Sequence, residues 1–388
     1  MKSLKRRLAL WLAHLATKPR SGPTRAMPPR DGPRRITVLK LDRIGDFIFA
    51  TAFLRPLSEQ SDTEVTLIVR KPNGSIARQQ FPGWKVLELP ARETAWRNIF
   101  RQGVRAQLTK LEKADLLVDL RAFRDYSYAV IASWISARFK LGIVNSFPES
   151  FAEFTYPDEL QISDELIPRE TPLPGEPADV AGLRGLVNRV LGGTPAIRPR
   201  LLVQESDRTT VRAVLLEKFG ISERQPFLLV FPGTSSPIKE LPAAQLAEAL
   251  LAGSELPIIV GGSSADARTT GPLVAELSRH RTVHNAAGVF SLCQNVALIA
   301  EARLMVGMDS CHIHIAGALD VPAVGILGGG QFGDFAPWGE SARFRWVHHR
   351  TECYGCQWIC PFPQPNCLHD IPPAAIAQAI REVLSASA

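Results

Sequence analysis

Four groups of residues in the 388-residue sequence have the types and spacing that a reactive or binding site requires. The first is the stretch LDRIGDF, in which Gly45 and Asp46 follow an apolar run, Ile36–Leu41. Glycine permits a tight turn, and a helix start holds a carboxylate in the charged form that a general base needs. Asp46 is therefore a candidate base, although aspartate is also a common helix cap.

The second group is PGTSSPIKELP, which follows an apolar run and carries Thr234, Ser235, Ser236 and Lys239. Hydroxyls, turn amides and one ammonium beyond a strand are typical of a diphosphate site. A solvated turn with an exposed lysine is the alternative. The segment is not a Walker A loop, because the G-x-x-x-x-G-K-[ST] spacing is absent.

The third group is MDSCHIHIAGAL, which places Asp309 and Ser310 at the start of a predicted short helix. Ser310 and His314 are four residues apart and share one face of that helix. His312 is two residues from His314, so we expect it to point elsewhere. The two histidines are therefore not expected to form a metal pair.

The fourth group is GILGGGQFGDFAPWG, in which Gly328, Gly330 and Gly333 match the G-x-G-x-x-G fingerprint of dinucleotide sites. That fingerprint needs a following helix, and Pro337 comes too soon for one. A glycine-rich loop after a strand still lets backbone amides approach a phosphate. The run Gly328–Gly330 is therefore a candidate phosphate-binding segment.

Four cysteines near the C-terminus have the spacing C-x2-C-x3-C-x6-C. Four thiolates can hold a structural zinc ion or an iron–sulfur cluster. Free buried thiols, as found in a reducing cytosol, are the alternative. The candidate ligands are Cys353, Cys356, Cys360 and Cys367.

Short runs rich in Val, Ile and Leu alternate with helical patterns, which is typical of parallel sheets covered by helices. The predicted strands are Ile36–Leu41, Val65–Arg70, Asp115–Leu120, Phe227–Phe231, Pro257–Gly261, Arg303–Gly307 and Pro322–Leu327. The predicted helices are Phe47–Gln60, Thr94–Lys113, Arg124–Arg138, Asp207–Phe219, Pro242–Ala252, Ala265–Arg279, Ser291–Ala300 and Pro373–Leu384.

This alternation stops between about residues 146 and 200, a stretch rich in Pro and Glu with one helical segment near Ala181–Leu191. We therefore predict two doubly wound, Rossmann-like α/β domains, an N-terminal one over 36–200 and a C-terminal one over 201–388. Sheets of this kind bind ligands beyond the carboxyl ends of their strands. Two such domains facing each other would enclose a cleft.

The amino-acid composition is that of a soluble globular enzyme and argues against a membrane-spanning or nucleic-acid-binding protein. Hydrophobic residues make up 45% and charged residues 21%, as in soluble globular enzymes. No apolar run is long enough to span a bilayer, and no basic–aromatic pattern of a nucleic-acid binder is present.

The positive charge is concentrated in an N-terminal arm, residues 1–35, which carries ten Lys or Arg and one Asp. Leu4, Leu8, Trp11, Leu12 and Leu15 recur there at helical spacing beside basic residues. This pattern favours a helix on an anionic membrane surface, with a solvated leader or a signal peptide as alternatives. We expect a cytoplasmic protein that is peripheral on the inner face of the cytoplasmic membrane.

Three segments together resemble the heptosyltransferase family of bacterial lipopolysaccharide glycosyltransferases, glycosyltransferase family nine. They are LDRIGDFIFATAFLRPL, PGTSSPIKELP and MDSCHIHIAGALDVPAVGILGGG, in the family's order, and the resemblance runs from about Ile36 to Ile380. It implies the GT-B fold, with an acceptor-binding N-terminal domain and a C-terminal domain that binds the nucleotide sugar. It also implies an inverting reaction that requires no cofactor. Cys311 and His312 depart from the usual family pattern, as do Gly329 and Gly330, which replace the Pro and Thr of a usual Gly-Pro-Thr.

The resemblance also implies roles for individual residues. Asp46 would deprotonate the acceptor hydroxyl, and Lys239 would stabilise the leaving diphosphate. The donor, a nucleotide sugar such as ADP-heptose, would be bound by Thr234, Ser235, Lys239, Asp266 near the ribose, Phe290 near the adenine, Asp309, Ser310 and His314, besides Gly328, Gly329 and Gly330.

The acceptor would be a lipopolysaccharide core or a related glycolipid. An anionic acceptor would be held by basic side chains at or beyond the ends of the N-terminal strands, and ordinary solvated surface charge is the alternative. The candidates are Arg43, Arg70, Lys71, Arg121 and Arg124.

Two other function classes stay open at this point. An NAD-dependent oxidoreductase or epimerase of nucleotide sugars would need a dinucleotide fingerprint at the first strand, which Leu41–Asp46 does not supply. A non-catalytic sugar-nucleotide-binding protein of the same fold would have no use for Asp46 as a base. The presence together of Asp46, Lys239, Asp309 and His314 argues against that class.

Overall fold

The computed structural model describes residues 25–31, 34–90, 103–121, 126–144, 162–174, 176–193 and 197–387. The N-terminal arm as far as residue 24 lies outside these ranges, as does Arg124. The chain divides into two units. The first comprises residues up to Thr171 together with Asp179–Arg198, and the second comprises Pro172–Ala178 and Pro199–Ala388.

The first unit is built on a parallel sheet with the strand order β3-β2-β1-β4-β5-β6. Its described strands are β1 (Arg34–Lys40), β2 (Thr63–Arg70), β3 (Lys85–Leu89), β4 (Ala114–Asp119), β5 (Ala137–Ile143) and β6 (Glu165–Ile167). Its described helices are α1 (Ile44–Ser58), α2 (Lys71–Gln80), α3 (Val104–Thr109), α4 (Tyr126–Trp134) and α5 (Ala178–Leu191).

The second unit repeats this architecture with the strand order β12-β11-β10-β7-β8-β9, again all parallel. Its strands are β7 (Leu228–Phe231), β8 (Ile258–Val260), β9 (Val283–Asn285), β10 (Leu304–Met308), β11 (Ala323–Ile326) and β12 (Phe344–Val347). Its helices are α6 (Glu205–Phe219), α7 (Ala243–Gly253), α8 (Ala267–Leu277), α9 (Leu292–Glu301), α10 (Cys311–Ala318), α11 (Asn366–His369) and α12 (Pro373–Ala386).

The central strands of both sheets are buried because their apolar runs are covered by helices on the two faces. In the second unit, Leu228 and Val230 of β7 pack with Leu304 and Val306 of β10 in one continuous core, to which α12 contributes Ile380. This burial leaves the polar residues that follow each strand at the carboxyl edge of the sheet, where ligands of such sheets bind.

The prediction of two doubly wound parallel α/β units is confirmed, and all seven predicted strands are present. Five further strands were not predicted. Four of these, β3, β6, β9 and β12, have polar or half-exposed positions that interrupt the apolar pattern. None of the described helices has the length and apolar composition needed to cross a membrane.

The predicted helix Arg124–Arg138 was wrong at its C-terminal end, because α4 ends at Trp134 and β5 begins at Ala137. Lys140 of β5 is buried, and its ammonium donates a hydrogen bond to the carbonyl of Ala132 at 2.7 Å. That bond satisfies a carbonyl at the end of α4 that has no partner within the helix.

The predicted helix Thr94–Lys113 was too long at its C-terminal end. Its described part is α3, which ends at Thr109. Gly103 precedes α3 in a left-handed conformation, with φ of 70°, which glycine adopts without strain. Residues 94–102 lie outside the described ranges.

Candidate functional site

The carboxyl end of β1 carries a group of charged side chains in the first unit. Lys40 ends the strand, Asp42 lies in the turn, and Asp46 lies in the first turn of α1. The backbone N–H of Arg43 donates to Asp46 Oδ2 at 3.2 Å. Asp46 therefore does cap its helix, as the alternative interpretation allowed, and this bond uses one of its two carboxylate oxygens.

Asp42 lies between two cations. Its carboxylate is 2.9 Å from Lys40 Nζ and 2.7 Å from Arg121 Nε. Burial acts to raise the pKa of Asp42, but these two cations lower it below its ordinary value. Burial acts to lower the pKa of Lys40, but Asp42, Asp46 and Asp179 raise it. Asp42 and Lys40 are therefore both charged at neutral pH.

The environment of Asp46 is that of a proton acceptor. Burial, and then the charge of Asp42, raise the pKa of Asp46, while Lys40 and Arg121 oppose the rise. A carboxylate with a raised pKa accepts a proton more readily than an ordinary one, which favours a general base. The electrostatic setting is thus consistent with the role that the motif predicted for Asp46.

Asp179 joins this group although sequence reasoning missed it. It lies in the first turn of α5, well over 100 residues from Lys40, and pairs with Arg169 at 3.3 Å. Burial raises the pKa of Asp179 to about 6, against the lowering effects of Lys40 and Arg169. The only signal in the sequence was an acidic residue at the start of a helical pattern, which is typical of ordinary helix ends.

The basic residues proposed for the acceptor occupy different environments. Arg43 and Lys71 are exposed, and Arg70 is half-buried. Burial, and then the charge of Arg43, lower the pKa of Arg70, and the charges of Asp42 and Arg121 also act on it. Arg121 lies 4.7 Å over the ring of Tyr128 besides pairing with Asp42. Three of the five predicted cations, Arg43, Arg70 and Arg121, therefore interact with Asp46 or with its neighbour Asp42. Lys71 is an exposed residue at the start of α2, and Arg124 lies outside the described residues.

In the second unit, the segment after β7 folds as a tight turn. Thr234 Oγ1 donates to the carbonyl of Ser236 at 2.6 Å and accepts from its N–H at 3.2 Å. Ser235 is exposed. A short 3-10 helix, Pro237–Lys239, then places Lys239 beyond the strand. The Lys239 ammonium is 3.4 Å from Asp309 Oδ2 and 3.2 Å from Gln331 Oε1.

Asp309 connects this lysine to a histidine. It follows β10, and its Oδ1 is 3.5 Å from Nε2 of His314, a buried residue of α10. Burial acts to raise the pKa of Asp309, but His314 and Lys239 lower it below its ordinary value. Ser310 is the N-cap residue of α10. Its hydroxyl is buried and has no hydrogen-bond partner among the described residues. The group Lys239, Asp309 and His314 thus keeps a buried carboxylate charged beside an ammonium.

His312 points away from this group, as predicted. Its ring stacks on Phe231 with 3.8 Å between ring centroids, and burial lowers its pKa to about 4, so it is neutral. Asp266 lies beyond β8, where its Oδ2 accepts from the N–H of Ser263 at 2.7 Å. Phe290 is buried, with 7% of its surface exposed.

The glycine run has a packing role that was not predicted. A Cβ on Gly328 or Gly330 would lie within 2.5 Å of the Trp358 ring, and one on Gly329 would lie 2.3 Å from the Tyr354 ring. The carbonyls of Gly329 and Gly330 accept from the N–H groups of residues 355 and 357 at 2.8 and 2.7 Å. The cysteine-containing segment therefore packs directly on the glycine run.

The same segment reaches Lys239. The Lys239 ammonium lies 4.9 Å from the centre of the Trp358 ring, and Gln357 Oε1 accepts from Gln331 Nε2 at 3.2 Å. Gln357 and Trp358 both adopt left-handed backbone, with φ of 52° and 62°. Side chains other than glycine rarely adopt this conformation, so surrounding contacts must hold the pair in place.

The expected four-thiolate zinc or iron–sulfur site is not supported. In the described ranges, no three His, Cys, Asp or Glu side chains come together as metal ligands would. Cys353 Sγ contacts Thr351 Oγ1 at 3.4 Å, and Cys367 is buried on α11. Burial raises the pKa of Cys367, which favours the neutral thiol. The cysteines are free, and their segment contributes packing against the glycine run.

Comparison with known proteins agrees with the predicted family. Residues 174–359, which include every predicted donor-side residue, match Glycosyltransferase family 9 (heptosyltransferase). Over 149 residues the chain is 30% identical to lipopolysaccharide heptosyltransferase 2 of Salmonella typhimurium. That alignment covers 37% of this chain and 41% of the relative, so the chain spans about two fifths of the length of this curated relative.

The fold is similar to that of solved structures over nearly the whole chain. With the family 9 glycosyltransferase of Veillonella parvula the TM-score is 0.70 at 17% identity, covering 93% of this chain and 99% of the other. With the ADP-heptose lipopolysaccharide heptosyltransferase II of E. coli it is 0.63 at 19% identity, covering 90% and 98%. The predicted GT-B fold class is confirmed by these likenesses. Residues 174–359, with Lys239, Asp309 and His314 among them, thus match the model of glycosyltransferase family 9, the heptosyltransferase family that the motifs predicted.

Proposed function

We propose that this chain is an inverting glycosyltransferase that moves a heptose from ADP-heptose to a lipopolysaccharide core or related glycolipid. The observation that carries the proposal is the Lys239–Asp309–His314 group at the carboxyl ends of β7 and β10, within the family 9 domain. The similarity to lipopolysaccharide heptosyltransferase 2 and to an ADP-heptose transferase supports the choice of sugar and carrier.

The donor side would act through charge. Lys239 offers an ammonium beside the buried Asp309 carboxylate, where it can stabilise the negative charge of a departing diphosphate. The hydroxyl of Ser235 and the N-terminus of α10 after Ser310 are suited to phosphate oxygens. The Thr234 hydroxyl would join them by turning its proton from the Ser236 carbonyl to the phosphate. Asp266 would contact the ribose.

The reaction would be a direct displacement. The Asp46 carboxylate takes the proton of the acceptor hydroxyl, and the hydroxyl oxygen attacks the anomeric carbon from the face opposite the diphosphate. The bond from the anomeric carbon to the phosphate oxygen breaks, and its electron pair leaves with ADP. The anomeric configuration inverts. Lys239 and backbone amides supply the positive charge for this step, so the proposed route has no metal-dependent step.

The acceptor side would recognise negative charge. Arg43 follows β1 and Arg70 ends β2, and the charge of Asp46 acts on Arg70. Lys71 is exposed at the start of α2. Phosphate or carboxylate groups of a glycolipid core are suited to these cations. Arg121 forms an ion pair with Asp42. We therefore propose that Arg121 both lowers the pKa of Asp46 and helps to bind the acceptor.

We also propose that the protein works at the inner face of the cytoplasmic membrane, held there by the basic arm, residues 1–35. Its ten cations would be attracted to anionic lipids. Full-length protein should sediment with anionic vesicles and not with neutral ones. A variant with Glu at the four positions Lys2, Lys5, Arg6 and Arg7 should lose this binding, while its unfolding temperature stays unchanged. Equal binding of the variant and the wild type would refute the anchor.

The function is tested by thermal shift and turnover on matched variants. ADP should stabilise the wild type and Asp46→Asn but not Lys239→Ala. Turnover with ADP-heptose and a lipopolysaccharide core acceptor should fall about a thousandfold in Asp46→Asn, because the proton acceptor is lost.

Other results would redirect the proposal. An unchanged rate in Asp46→Asn would remove Asp46 as the base. Stabilisation by NAD alone would favour an oxidoreductase. Binding of ADP without transfer to any glycolipid would favour a non-catalytic protein of the same fold.

A further inference from the structure

The end of the glycine-rich motif, Ala336–Gly339, has no role in the function proposed above. It carries Trp338, which is 6% exposed and packs on α10 over Gly317. A Cβ on Gly317 would lie 2.7 Å from the indole ring, so glycine leaves the space that the indole fills. Gly317 is three residues after His314 on the same helix, which brings the indole to the imidazole.

The indole and the imidazole are joined by a directional hydrogen bond. Trp338 Nε1 lies 3.1 Å from His314 Nδ1. An indole nitrogen can only donate, so Nδ1 must accept and cannot carry a proton. The proton of the neutral imidazole is therefore on Nε2, the nitrogen 3.5 Å from Asp309 Oδ1.

The loop that holds Trp338 is itself fixed. Trp346 of β12 donates from its Nε1 to the carbonyl of Trp338 at 2.9 Å. The other carboxylate oxygen of Asp309 is 3.4 Å from Lys239 Nζ. A continuous line of polar contacts thus runs from the indole of Trp338 through His314 and Asp309 to Lys239.

We propose that Trp338 is a positioning residue that fixes His314 as its Nε2–H tautomer and thereby orients Asp309 and Lys239 for the nucleoside diphosphate. The role in donor binding rests on the function proposed above, whereas the tautomer follows from the contacts alone. A histidine free to exchange tautomers would present a lone pair to the Asp309 carboxylate for part of the time, and that repulsion would displace the carboxylate from Lys239.

The tautomer is tested by NMR on full-length protein labelled with 15N-histidine. The His314 signals are assigned by their loss in His314→Gln. In the wild type, Nδ1 should have the shift of an unprotonated nitrogen and Nε2 that of a protonated one. Trp338→Phe keeps a ring over Gly317 but removes the donor, so a protonated Nδ1 should appear. A protonated Nδ1 in the wild type, or an unchanged tautomer in Trp338→Phe, would overturn the proposal.

The effect on the donor is tested by calorimetric titration with ADP. Trp338→Phe should weaken ADP binding about tenfold, the size expected when a buried polar group loses its partner. Trp84→Phe is the matched control, because it removes an indole that stacks on Phe81 in the first unit, and it should keep both the tautomer and the affinity. ADP affinity unchanged by Trp338→Phe would refute the positioning role. Wild type that binds no ADP would refute the proposed function while leaving the tautomer result valid.

Discussion

Three charged side chains, those of Lys40, Asp42 and Arg121, act on Asp46. Lys40 and Arg121 lower the pKa of Asp46, while its own burial and the charge of Asp42 raise it. The motif LDRIGD placed Asp46 and Asp42 four residues apart, but the opposing effects depend on distances that only the fold fixes. The balance of these charges can be shifted in either direction by a single substitution.

Lys40→Met and Asp42→Asn should move the pH profile of kcat/KM in opposite directions. The base must be ionised, so activity is lost as pH falls through the pKa of Asp46. Losing the Lys40 cation raises that pKa and shifts the acid limb to higher pH, whereas losing the Asp42 charge shifts it to lower pH, each by about one unit. The measurement is kcat/KM across the acid limb, with unfolding temperature as a check on folding.

Lys113→Met is the control for these two variants, because it removes an exposed cation of the same unit. Its acid limb should coincide with that of the wild type. A shift of Lys40→Met and Asp42→Asn in the same direction would mean that Asp46 is not the group that titrates.

At the scale of elements, the strands that carry the site were predictable because each is a continuous apolar run followed by a polar turn. Asp46, Lys239 and Asp309 were proposed in this way, since each lies in the polar segment that follows its strand. Asp179 and Trp338 were not, because their partners are distant in sequence and no local pattern records the contact. The cysteine spacing was misleading, because it resembles a metal site while the segment packs on glycines.

Gly330→Ala should destabilise the protein and weaken ADP binding together. The added Cβ would lie 2.4 Å from the Trp358 ring, so this ring, which lies 4.9 Å from the Lys239 ammonium, must shift. Overpacking of this kind costs about 1–3 kcal/mol. The measurements are the unfolding temperature and its increase on adding ADP, and both should fall.

Gly83→Ala is the matched control for this substitution. Gly83 lies in the turn between α2 and β3, and apart from its chain neighbours a Cβ there has nothing within 4 Å. Replacing a glycine by alanine without a clash should raise stability by about 0.4–1 kcal/mol and leave the ADP response unchanged. If Gly330→Ala behaved like this control, the packing of Trp358 would have no bearing on the donor.

At the scale of the whole molecule, α5 shows how the chain order and the spatial order differ. Helix α5 follows the Pro- and Glu-rich stretch yet groups with the first unit, while Pro172–Ala178 just before it groups with the second. Asp179 therefore brings a late part of the chain to the end of β1. Its buried carboxylate links the pH to the stability of the folded state.

Asp179→Asn should become more stable relative to the wild type as pH rises from 5 to 7.5. The pKa of Asp179 is raised to about 6 in the folded state, above the ordinary value of roughly 4 in the unfolded chain. Protonation therefore favours folding, and the wild type loses stability as pH rises from about 4 through 6, with about 1 kcal/mol of that loss between pH 5 and 7.5. Asparagine does not ionise, so the variant does not lose this part of its free energy of unfolding as pH rises.

The measurement is the difference in unfolding temperature between Asp179→Asn and the wild type at pH 5 and pH 7.5. The difference should be more favourable to the variant at pH 7.5. A constant difference at both values would show that Asp179 keeps an ordinary pKa in the folded protein.

Indole rings surround the candidate donor side closely. Of the seven tryptophans in the chain, Trp338 and Trp346 lie within 6.4 Å of the His314 ring, and Trp358 lies over the Lys239 ammonium. Imidazole and ammonium groups near an indole alter its fluorescence, so a ligand that shifts either group will change the emission. The protein thus contains its own optical reporter, and stopped-flow fluorescence of the unlabelled chain can follow nucleotide arrival and release in real time.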